Sequence, residues 1–320
     1  MKKIKLKKPK MNQISLLVAM LVLVVIVIAV SSPSFLTIRN LKNILNQNAV
    51  IGILTVGMAI VMISGGIDLG VGNLVSFAAC FMALLLRNGV RELPASLLSL
   101  LLSTICGFVT GLIISNTTAQ PFIITLGTMN VYKAAALITA NGSDMPIGNA
   151  FQFLGKTYLF SVLLPVWIFL LMFLLLGFVL RQTGFGRIAY TIGSNEEAAF
   201  ISGINVKRRK VILYALNGLI TGFASLLLLS RLGSATPTMG DGYEMSAISA
   251  CAIGGITLTG GVGSAIGAFL GILFLGIVRN GLNLMKVPTF YQYLVNGVII
   301  IIAVIFSNYS SKKRIEQSNC

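Results

Sequence analysis

Ten apolar blocks run along the chain, at residues 14–30, 48–64, 69–86, 95–115, 121–140, 160–180, 211–230, 245–258, 264–279 and 293–307. Crossing a hydrocarbon layer about 30 Å thick takes about 20 helical residues. A chain in lipid must satisfy its own backbone hydrogen bonds, so blocks of this length are read as helices. The pattern predicts an all-α membrane protein, a polytopic helical bundle with about ten transmembrane helices. Blocks 245–258 and 264–279 are short, so one or both are expected to be broken or re-entrant. The first block follows a basic start, as in a signal peptide, but it is too long and lacks a convincing cleavage site; it is read as a retained span.

The longest polar interval inside the chain is Gly184–Lys210. Ser194 and Glu197 stand three apart, the spacing of a capping box. Glu196 and Glu197 fall where a helix dipole favours negative charge. With Asn195 between cap and helix, Ala198, Ala199, Phe200 and Ile201 carry the element forward, and Gly203 is placed to end it in the left-handed conformation. The spacing predicts a helix of about two turns, roughly 12 Å long. A short capped helix with an apolar edge suits docking into a groove on another protein. It equally suits resting on the lipid surface.

Composition sharpens the class. Of 320 residues, 56% are hydrophobic and 10% charged, against about 25% charged in soluble domains. The net charge of +16 could point to nucleic acid, but the basic residues cluster at block edges, and no nucleic-acid partner is expected. With the N-terminus inside and ten crossings, the inner loops hold fifteen basic residues and the outer loops eight, with Lys133 inside a span. That bias predicts cytoplasmic termini and a cytoplasmic Gly184–Lys210 loop. The organisation is a basic arm (1–13), a transmembrane domain (14–307) containing the 184–210 loop, and a tail (308–320).

Chemistry is sparse. Histidine is absent, which removes Ser-His-Asp and Cys-His catalysis and makes a transition-metal site improbable. The four cysteines form no CxxC pair, and three lie in apolar blocks. Gly155-Lys156-Thr157 resembles the end of a phosphate-binding loop, but Ala150 stands where its first glycine belongs. Asp68 sits among four glycines in Gly65–Asn73, which implies irregular backbone at membrane depth. It could be a gate or pathway element together with Asn73. The better-supported role is a cap on the following helix. Asp241, Tyr243 and Glu244, placed at the outer mouth, could meet an incoming polyol or a docking partner, or equally cap the next helix. Gly263, Gly267 and Gly271 have the four-residue spacing of close helix packing.

Several segments together carry a family resemblance: Gly65-Gly66-Ile67-Asp68-Leu69, Pro121–Gly127, Glu197-Ala198-Ala199 with Gly203–Val206, Asp241–Glu244, and Asn280–Leu284. In this order the chain resembles the permease subunits of bacterial ABC sugar importers, close to the ribose type, from about Ser32 to Ser307. The resemblance implies a pair of permease subunits, expected to be a homodimer, in the bacterial plasma membrane. It also implies an ABC ATP-binding subunit that holds ATP and Mg, and an extracytoplasmic sugar-binding protein. No cofactor on this chain is expected, nor any enzymatic activity of its own. Glu197-Ala198-Ala199 followed by Gly203 is similar to the loop that engages the ATPase, which favours docking over lipid contact. Ser246 stands where relatives usually carry an acid, and Gly70 where they tend to have Ser. Both departures bear on which sugar is carried rather than on the class. The alternative from the residues is an ion-coupled secondary transporter, but Asp68 has no second acid nearby in sequence. An intramembrane enzyme or a scaffold has less support.

Overall fold

The computed structural model describes residues 13–292, 294–295, 297–299 and 301. The basic arm through residue 12, the C-terminal tail and most of the tenth apolar block lie outside the described residues. The chain builds α1 (Gln13–Ser31), α2 (Ile38–Ile63), α3 (Val71–Arg87), α4 (Glu92–Asn116) and α5 (Pro121–Ala140). A linking region follows, with β1 (Met145–Pro146), α6 (Gln152–Lys156), β2 (Tyr158–Leu159) and β3 (Val162–Leu163). Then come α7 (Leu164–Gln182), α8 (Gly184–Ser194), α9 (Glu196–Ile201), α10 (Val206–Leu232), β4 (Ser234–Ala235), α11 (Tyr243–Ile253) and α12 (Ala265–Leu284). The strands are two-residue ladders, β1 with β4 and β2 with β3, both antiparallel.

The protein is a helical polytopic membrane protein. Seven of the described helices are long and apolar enough to cross a membrane: α1, α2, α4, α5, α7, α10 and α12. Two more blocks give shorter helices, α3 with 17 residues and α11 with 11. The expectation of a broken helix therefore holds for block 245–258. It fails for block 264–279, whose helix continues through Asn280 to Leu284 for 20 residues. Block 48–64 also underestimates its helix, because α2 starts at Ile38, capped by Thr37, whose hydroxyl accepts from the Asn40 N–H.

The helices have different depths in the bundle. Of its most apolar window, α2 has 83% buried and α1 only 11%, so α2 is the central post and α1 lies at the periphery. Around α2 stand α7, α10, α11 and α12. The tightest pairing is α4 with α10. Ser103, Gly107 and Gly111 form a small-residue stripe on α4. A Cβ on Gly107 would meet the Tyr214 carbonyl and Gly218, and one on Gly111 would meet the Val211 backbone. Close approach of this kind holds membrane helices together through van der Waals contact.

The predicted stripe at Gly263, Gly267 and Gly271 divides. Gly267 and Gly271 do let α12 approach α11, against the backbone of Gly254 and Ala250. Gly263 lies ahead of the helix, in the turn, where it packs on Ile256 and Ile63.

Candidate functional site

The polar interval folds into two helices, and this corrects its predicted capping. Ser194 is the last residue of α8, and its hydroxyl donates to the Tyr190 carbonyl one turn back, at 2.8 Å. It is thus engaged and does not cap α9. Asn195, with extended backbone, is the cap instead, its side-chain oxygen accepting from the Ala198 N–H at 2.9 Å. Glu197 then stands at the second helical position, too early to reach back as a capping box requires. Glu196 pairs with Lys210 at 2.6 Å, bracing α9 against the second turn of α10.

The C-terminal end of α9 is closed by Gly203 at φ 82°. The Ile204 N–H donates to the Ala199 carbonyl and the Gly203 N–H to the Phe200 carbonyl. These two bonds make a Schellman motif, which only a residue tolerant of positive φ completes cheaply. The helix is six residues long, about 9 Å, about half a turn shorter than expected because α8 takes the residues up to Ser194. Its two faces differ sharply. Ala199 is fully buried in a small cluster with Ile192 and Val206. Phe200 and Ile201 are 70% and 77% exposed. The outcome is a rigid knob with an apolar tip and a charged flank.

That knob is seated on the bundle through glycines. A Cβ on Gly193, the residue before Ser194, would collide with the Ile63 carbonyl at the end of α2 and with the Gly261 N–H. The same Gly261 N–H donates to the Ile63 carbonyl at 2.8 Å. Gly260, at φ 86°, lies against the backbone of Gly65 and Gly193. Three chain reversals therefore meet backbone to backbone: the α2–α3 turn, the α8–α9 junction and the α11–α12 turn. Side chains would space them apart; four glycines let them touch.

From Gly65 the α2–α3 linker climbs into the bundle. Asp68 is 5% exposed. One of its oxygens accepts from the Gly70 N–H at 2.9 Å and the other from the Asn217 side-chain amide at 2.8 Å. Gly70 occupies the cap position of α3 without a side-chain bond, so Asp68 fixes the turn ahead of the helix and ties it to α10. The Ile67 carbonyl accepts from Tyr214 Oη at 3.2 Å and Thr125 Oγ1 at 3.3 Å. The linker is thus held by α5 and α10 as well.

The second acidic segment also reaches inward. The Gly240 N–H donates to Ser76 Oγ at 3.0 Å, and Glu244 lies against Gly72. Ser225, which donates to the Val75 carbonyl at 2.7 Å, marks the same level on α10. It stands seven residues from the end of that helix, about 10 Å down. The segment expected at the outer mouth thus packs alongside α3, at a level about 10 Å from the end of α10. Asp241 pairs with Lys133 of α5 at 3.2 Å. Glu244 is 7% exposed, and Asn73 is buried beside Gly72. Glu244 Oε2 and Asn73 Oδ1 are buried acceptors with no donor among the described residues.

Asp241 and Tyr243 line a cavity of about 480 Å³ with Ser246, Ser249, Arg279 and Gln292. Arg279 donates to Ser246 Oγ at 3.3 Å. Asp68 is not part of this cavity; it stays inside the bundle. Arg279 and Asn217 were missed as site candidates, although each is a polar residue inside an otherwise apolar helix. No group of histidine, cysteine or carboxylate residues able to hold a metal is found among the described residues.

Comparison with known proteins gives the class. Residues 40–304 match the family described as branched-chain amino acid transport system / permease component. The ribose import permease protein RbsC of Bacillus subtilis is 40% identical over 286 residues, covering 88% of this chain and 89% of that protein. RbsC of Escherichia coli K12 is 40% identical over 297 residues, covering 91% and 92%. The L-arabinose ABC transporter permease protein AraH of Azospirillum brasilense is 36% identical over 287 residues, covering 89% and 85%. No solved structure matches. The chain belongs to this family of transport-system permeases, and it is a multi-pass membrane protein whose relatives are transporters rather than enzymes.

Proposed function

We propose that the chain is the membrane permease of an ATP-driven importer for a monosaccharide, ribose or a related sugar. It lies in the bacterial plasma membrane with both termini and α9 in the cytoplasm, and it works as a pair of copies. A separate ABC subunit binds ATP and Mg, and an extracytoplasmic binding protein delivers the sugar. The chain itself performs no chemistry. The transmembrane domain extends over residues 14–307.

The observation that carries this reading is the exposed apolar tip of α9 on a helix braced at both ends. Ser194, Asn195, Glu196, Glu197, Ala198, Ala199 and Gly203 form its frame, and Phe200 and Ile201 are what it offers to a groove. The names of the relatives support sugar as the cargo.

Coupling follows from the glycine junction. When the ATPase pair closes, it displaces α9. Gly193 passes that displacement to the end of α2 and to the α11–α12 turn together. The α2–α3 linker carries Asp68, and α11 carries Tyr243, Ser246 and Ser249 into the cavity. Hydroxyls, an amide and a guanidinium above apolar Met245 and Leu275 suit weak contacts to a sugar's hydroxyls and its C–H face. Asn73 and Glu244, with acceptor atoms that find no donor among the described residues, are further pathway groups next to that wall.

The test is copurification followed by reconstitution. Tagged chain brings down an ATP-binding subunit. In proteoliposomes with the binding protein present, ribose or a close relative raises ATP hydrolysis severalfold and enters only with ATP. Uptake that persists without ATP and stops with an uncoupler contradicts the reading and favours an ion-coupled carrier.

A further inference from the structure

A groove of about 530 Å³ opens between α7 and α12, on the α9 side of the bundle. Its walls are apolar: Phe173 and Leu174 on α7, Phe269 on α12. Its end toward α9 is polar, lined by Arg181, Tyr190 and Ser264. Tyr190 Oη donates to the Gly263 carbonyl at 2.9 Å and Ser264 Oγ accepts from the Gly267 N–H at 3.0 Å, so both hydroxyls are already engaged. Arg181 is exposed, and none of the ion pairs among the described residues involves it.

The dimensions fit one leaflet. From Leu170 to Arg181 the groove follows eleven residues of α7, about 16 Å. Half of a hydrocarbon core about 30 Å thick is the same length. A neighbouring groove between α2, α4, α7 and α10 has a similar volume, about 630 Å³, but Thr183 is its one polar liner. That groove has nothing to select a headgroup, whereas the α7–α12 groove has a cation at its polar end.

From this polarity gradient we propose that the α7–α12 groove is a binding site for one anionic phospholipid of the leaflet on the α9 side. An acyl chain lies against Phe173, Leu174 and Phe269, and the phosphate sits at the Arg181 guanidinium, which presents a fork of donors to it. The lipid touches α7 and α8 on one wall, and α12 with its preceding turn on the other. Those are two of the three elements joined at Gly193, so its presence bears on how firmly α9 is held. The site is independent of which solute the chain carries.

Two substitutions test it. Arg181→Gln removes the cation from an exposed position. Gly177→Leu fills the groove from within; the nearest atom to a Cβ there is Ala265 Cβ at 3.7 Å, an ordinary contact, so the side chain starts without a clash. Full-length chain is purified in micelles holding equal phosphatidylglycerol and phosphatidylcholine, and retained lipids are counted by native mass spectrometry. The wild type retains phosphatidylglycerol in preference. Arg181→Gln lowers that preference about fivefold, the effect of one cation near an anionic surface. Gly177→Leu removes one retained lipid per chain. Retention unchanged in both variants overturns the proposal. So does a Gly177→Leu variant that shifts the proportion of paired chains while keeping its lipid, since the groove is then a contact between copies.

Discussion

Phe200→Asp abolishes sugar uptake while leaving the permease folded and in the membrane. The side chain is 70% exposed, so the substitution disturbs no packing within the chain. Surface changes of this kind shift stability by about 0.5 kcal/mol or less. At a docking interface the same change places a carboxylate where an aromatic anchor is needed. Losing a buried aromatic hot spot costs about 2 kcal/mol or more, roughly a thirtyfold loss of affinity. The measurement pairs uptake with copurification of the ATP-binding subunit. Both fall together while the amount of permease in the membrane and its melting temperature do not. Ile201→Asp, at 77% exposure, gives the same pattern.

Gly193→Val produces the second large effect, and its signature is different. Here the ATPase still binds, because the tip of α9 is unchanged. The new side chain collides with backbone atoms of Ile63 and Gly261, which have no rotamer to escape through. Overpacking of this sort costs about 1–3 kcal/mol. The cheapest relief is for α8 and α9 to lift off the end of α2 and the α11–α12 turn. Hydrolysis by the assembled complex then continues but no longer responds to the sugar, and uptake drops at least tenfold. If Gly193→Val transports normally, the glycine junction is not the route of coupling.

Much of this architecture is legible in the pattern of apolar residues, because a helix in lipid needs little beyond length and greasiness to declare itself. The residues that escaped notice did so for identifiable reasons. The first turns of α2 carry Asn40, Asn43 and Gln47, which read as a polar loop. In the structure Asn40 exchanges amide hydrogen bonds with Asn280 at 2.9 Å, an arrangement that only the partner helix reveals. Helix α8 was hidden by Gly184, Gly186 and Gly193, all poor helix formers. Its signal was nonetheless present, since Phe185, Ile188, Ala189 and Ile192 recur at helical spacing.

Functional residues were harder than spans for a physical reason. A sequence shows that Asp68 is a charge in an apolar setting. It does not show that Asn217, 149 positions away, meets it. Nor does it show that Asp241 is neutralised by Lys133 from another helix. Gly203 was legible because its role is local: one glycine, one positive φ, one helix end. Gly193 was not, because its role is to let three distant turns touch.

The central claim is that α9 faces the cytoplasm and meets the ATPase there. The direct measurement is thiol labelling of Phe200→Cys, in a Cys320→Ser background that still transports, with a reagent that does not cross membranes. Cys80 and Cys251 are buried and Cys106 is half-buried, so the new thiol dominates the signal. The account predicts no labelling in intact cells and rapid labelling in inverted vesicles. Labelling of position 200 from outside intact cells contradicts it.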